Sequence, residues 1–89
     1  MVIGRIARRS ARAERVRAVV GEAHAQAALD LLELVDLSWH NCYGQLTPPD
    51  EVIEDILISS GGDLAALIRA ARMAVEDFRD LRLDANAAG

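Results

Sequence analysis

Eighty-nine residues, 52% of them apolar, suffice for one domain with a modest core and are too hydrophobic for a disordered chain. The net charge is −4, the ten basic residues are all arginine, and the single Cys42 cannot close an internal disulfide, which excludes a small scaffold held by internal disulfides. No continuous apolar run matches a signal peptide or a membrane span, so the expected setting is the cytoplasm.

Charge is split along the chain. Residues 1–20 carry six arginines against Glu14, and the remainder carries four arginines against thirteen acids. Residues 1–11 read as a basic N-terminal arm, continuing into Arg12 and Arg15. Arg5, Arg8, Arg9, Arg12 and Arg15 advance in short steps, mostly of three or four, and would share one side of a helix. Cations at a helix N-terminus oppose its dipole. The arm is therefore expected to order on an anionic partner, which makes these five arginines the candidate anion or nucleic-acid contacts. It offers few bulky apolar residues, so a membrane surface is not an expected partner.

The first periodic segment runs from about Ser10 to Tyr43. Val16, Val20, Ala23, Ala27, Leu31, Leu34 and Ser38 recur at three- and four-residue steps, with Leu32, Val35, Trp39 and Cys42 as a flanking row. This predicts one long helix that Gly21 could bend or interrupt. Thirty-odd residues at about 1.5 Å each give a rod of roughly 50 Å, longer than the rest of the chain can cover. Its Ala-rich half is thus expected to pack against a second copy, most simply as an antiparallel twofold dimer.

A corner follows, where Gly44 can end a helix in the left-handed conformation and Thr47-Pro48-Pro49-Asp50 can open the next. Trp39 and Tyr43 stand one turn apart beside it, either as the centre of an aromatic-poor core or as interface anchors. Residues 48–59 predict a short amphipathic helix with Val52, Ile53, Ile56 and Leu57 inside. A strand through Ile56-Leu57-Ile58 is the competing pattern, disfavoured by the acids at 50, 51, 54 and 55. Gly61-Gly62 breaks the chain, and either Ser60 or Asp63 caps a third helix to about position 83. Its expected buried face is Leu64, Leu67, Ile68, Ala71, Val75, Phe78 and Leu81. Residues 84–89 should fray, leaving residues 12–83 as a single helical domain.

Signals for chemistry are sparse. Glu33, Asp36 and His40 share a helix face, but Glu33 and His40 lie two turns apart and cannot hold one ion, so an Asp36/His40 ion pair is expected there. His40 and Cys42, two residues apart, point about 200° away from each other and do not form a nucleophile and base. His24 lacks the His-x-Leu-Lys-Gly-like context of phosphotransfer domains, and no phosphate-binding glycine loop occurs. The helices at 48–59 and 63–83 have helix-turn-helix spacing, yet the first is acidic and would repel phosphates. No enzyme activity, cofactor or metal is implied.

The pattern predicts an all-α, three-helix domain that acts as a small non-catalytic protein–protein interaction or regulatory module and forms a homodimer. Its candidate partner-binding residues are Trp39, Tyr43, Val16, Val20, Ala23 and Ala27. The rivals are a nucleic-acid-associated regulator using the arginine arm and, more remotely, a metal- or thiol-dependent enzyme.

Overall fold

Gly21 takes φ 86° and ψ 161°, a region that side chains with a Cβ avoid, and the chain turns back on itself there. The computed structural model describes the backbone of residues 2–45 and 47–88 and the side chains of 6–45 and 47–87. In it the expected long helix is two: α1 (Val2–Val20) and α2 (Glu22–Tyr43), followed by α3 (Asp50–Ser60) and α4 (Leu64–Ala88). The protein is all-helical, with four helices where the periodicity predicts three. The stripe could not reveal the turn, because Val16, Val20, Ala23 and Ala27 keep helical phase across Gly21.

Local signals explain the other boundaries. Gly44 adopts φ 72° and donates its N–H to the His40 carbonyl at 3.0 Å, closing α2 where the sequence places the corner. The Pro49 carbonyl accepts from Val52 at 2.9 Å and so opens α3. At the next turn Asp63 caps α4, its carboxylate accepting the Ala66 N–H at 2.9 Å. Helix α4 continues to Ala88, past the expected end near position 83.

α1 packs against α2, α2 against α4, and α3 against α4. Arg15 of α1 pairs with Glu54 of α3 and, further along the chain in both, Val19 lies against Gly62 in the turn just past α3, so α1 and α3 run in the same direction. With tight reversals between α1 and α2 and between α3 and α4, α2 and α4 also run parallel. Gly62, at φ 86°, sits so close to α1 that a Cβ would stand 2.8 Å from the Val19 carbonyl oxygen. The body measures 35 × 30 × 17 Å between Cα atoms, and its radius of gyration of 12.0 Å is ordinary for this length.

The core differs from the expected one in which rows face inward. On α2 the buried row is Ala25, Ala28, Leu29, Leu32, Val35, Asp36 and Trp39, while Ala23, Ala27 and Leu34 face outward. On α4 the buried residues are Leu67, Ala70, Ala71, Ala74, Leu81 and Ala85, and Ile68 and Phe78 are largely exposed. Alanine at four of these inner positions allows the helices to approach closely. Leu32, Trp39, Ile56, Leu67 and Leu81 fill the centre.

Candidate interaction surface

α1 is held by a small apolar contact and by a row of ion pairs. Its buried side chains are Val16 and Val20, with Ala13 and Val19 partly covered, and Ile6 is exposed. The arginines supply the rest. Arg12 makes a two-pronged contact with Asp36, both N–H to oxygen distances being 3.0 Å, and Arg8 Nε lies 3.5 Å from the same carboxylate. Arg9 donates to Asp30 at 2.8 Å and stands 3.2 Å from Glu33, and Arg15 pairs with Glu54. Asp36, expected on a solvated face with His40, is buried against α1, while His40 is exposed. The candidate anion contacts Arg8, Arg9, Arg12 and Arg15 thus meet carboxylates of their own chain, and the Arg5 side chain lies outside the described residues.

The end of α2 builds an aromatic cluster with α4. Trp39 is buried, its ring 4.3 Å from that of Tyr43 and 5.6 Å from that of Phe78, and its indole N–H donates to Gln45 at 2.9 Å. Opposite this cluster α4 is interrupted: Asp77 is extended, at φ −161° and ψ 101°. The Arg79 N–H, which in an unbroken helix would reach the Val75 carbonyl, donates to Asp77 Oδ1 at 3.0 Å. The Tyr43 hydroxyl donates to that same Val75 carbonyl at 3.0 Å, so both groups are satisfied across the break. The Arg79 side chain and backbone N–H hold the Asp77 carboxyl below the usual carboxylate range, and burial, with the Asp77 charge adding, pushes the Tyr43 phenol up.

The partner-binding candidates separate into two groups. Val16, Val20 and Trp39 are enclosed by the chain itself, whereas Ala23 and Ala27 are exposed and Tyr43 is 37% exposed. Ala23 and Ala27 continue in helical register into Leu34, which is 59% exposed. Beside this row, α4 presents Ile68, 52% exposed, and between the two helices runs a groove of about 180 Å³ lined by Leu31, Val35, Ser38, Ala71 and Val75. Helix α2 therefore carries two apolar rows, one spent in the core and one facing out. Leu34 and Ile68, both expected inside, are exposed; for Leu34 the signal is that two such rows on one helix cannot both face one neighbour.

A second groove, of about 490 Å³, lies between α3 and α4 around Val52, Phe78 and Leu83. Its rim charges are already paired, Arg82 with Asp55 and Glu51 and Arg79 with Asp77. Cys42 and His24 are exposed. Among the described residues no three His, Cys, Asp or Glu side chains are grouped to hold a metal ion, and no helix is long and apolar enough to cross a membrane. Comparison with protein-family models, curated proteins and solved structures returned no match to this chain.

Proposed function

We propose that the protein is a small, non-catalytic helical interaction module that associates with a second copy of itself through the outer face of α2 and α4. The supporting observation is the uncovered apolar row of α2, with Leu34 at its centre, lying beside exposed Ile68 on a parallel helix. Large exposed aliphatic side chains side by side on two adjacent helices form the kind of patch that marks an interaction site. Two helices about 10 Å apart offer a face roughly 30 Å long and 20 Å wide, or about 600 Å² on each copy. That sits at the lower end of specific interfaces, so the association is weak and reversible. Nucleic-acid binding through the arginine arm would require Arg8, Arg9, Arg12 and Arg15 to give up their carboxylate partners.

Light scattering across a wide concentration range tests this reading. The mass is expected to rise from that of one chain toward twice that value, and Leu34→Glu or Ile68→Glu to hold it at one chain without loss of helicity. A wild-type mass of one chain at every concentration would overturn it.

A further inference from the structure

The outer face of α2 and α4 carries an exposed carboxylate, Asp30, at one edge and an exposed guanidinium, Arg69, at the other. On α2, Asp30 lies in the outward row with Ala23, Ala27 and Leu34, on the side away from α4, and its side chain is 69% exposed even while it accepts from Arg9. On α4, Arg69 is exposed beside Ile68, on the side away from α2, and makes no ion pair among the described residues. The groove sets the two helices level: residues 31–38 of α2 stand beside residues 68–75 of α4. Asp30 and Arg69 are therefore within about one helical turn of the same height, at opposite margins of a face whose centre is apolar and which also carries the exposed Arg72–Glu76 ion pair of α4.

From this placement, and resting on the self-association proposed above, we infer that the occupant of the face is a second copy related by a twofold axis lying along the groove. Such an axis lays α2 of each copy over α4 of the other, running in the same direction, and preserves height along the helices. It carries the Asp30 margin of each copy onto the Arg69 margin of its partner. The apolar centres, Leu34 and Ile68, meet in between. An axis across the helices would instead stack α2 on α2 and α4 on α4, bringing like edges together. The two arrangements differ by attraction against repulsion at both margins, so Asp30 and Arg69 select the first.

Charge exchange tests the arrangement. Asp30→Arg and Arg69→Asp each place like charges at both margins and are expected to weaken dimerisation about tenfold, a size set by two exposed pairs. An equimolar mixture of the two variants restores opposite charges at both margins and should dimerise at least as well as the wild type, which sedimentation velocity reads directly. Because Asp30→Arg also disturbs Arg9, each variant's thermal melt is recorded, and Arg69→Asp, which breaks no internal pair, carries the result if the other proves unstable. Its partner in the mixture is then Asp30→Asn, expected to give an affinity between those of Arg69→Asp and the wild type. Two variants that dimerise like the wild type, or a mixture no tighter than its components, would overturn the arrangement. In that case continued loss of association in Leu34→Glu would leave the self-association reading standing, whereas a monomeric wild type would remove both.

Discussion

Asp36 shows how one carboxylate can change its role between a helical wheel and a folded chain. On the wheel it belongs with Glu33 and His40, but the reversal at Gly21 brings Arg12 and Arg8 over it and buries it. Removing one member of such a pair leaves the other charge poorly solvated. Asp36→Ala is expected to lower unfolding free energy by about 3–5 kcal/mol in denaturant titration, whereas Arg12→Leu with Asp36→Leu should cost clearly less. Asp77 provides a pH dependence. Its pKa is depressed in the folded protein, so its contribution to stability is present above the unfolded carboxylate value and is lost as pH falls through the lower folded value. The Arg79 amide shift should titrate with a midpoint below that of an aspartate in an unfolded peptide; a midpoint at or above it would contradict the cap.

Among the helices, the sequence made type and most ends legible while hiding the direction of the chain. Gly44 and Asp63 act where capping chemistry places them, because those effects are local, whereas α3 opens at Asp50 behind Pro49 and not behind Thr47, whose side chain caps nothing. Gly21 was visible as a possible break, but nothing in the adjacent residues fixes a reversal, since apolar spacing runs through it unchanged. What decides it is distant: Arg9, Arg12 and Arg15 of α1 meet carboxylates 21 or more positions later. The inward face of α4 differs from the one its large residues predict for a related reason. Periodicity puts the large residues inside, yet Ala70, Ala71 and Ala74 allow the helix to settle closely, which turns Ile68 and Phe78 outward. Gly62 is the matching device between α1 and the turn before α4. Gly62→Ala combines a positive φ with a backbone clash and should cost about 1–3 kcal/mol, seen as a lowered Tm; an unchanged Tm would mean that α1 and this turn are not in contact.

The whole molecule is thinner than its other dimensions, at 17 Å against 30 and 35 Å, so much of its surface is broad helical face. The seven interior leucines, isoleucines and valines of α2 and α3, namely Leu29, Leu32, Val35, Val52, Ile53, Ile56 and Leu57, are consumed by one core, and Leu34 and Ile68 are left outside it. The first-row candidates Ala23 and Ala27 belong to the same outer surface as Leu34, although the reason given by periodicity, an overlong uncovered helix, does not survive the turn at Gly21. What remains of that expectation is a surface instead of a rod. Intermolecular nuclear Overhauser effects in a mixture of isotopically labelled and unlabelled protein test the covering of that surface most directly. Cross-peaks between the copies are expected at the methyl groups of Leu34 and Ile68, growing with concentration. Their absence at millimolar protein, or their confinement to Tyr43 and Phe78 at the aromatic end, would contradict the account.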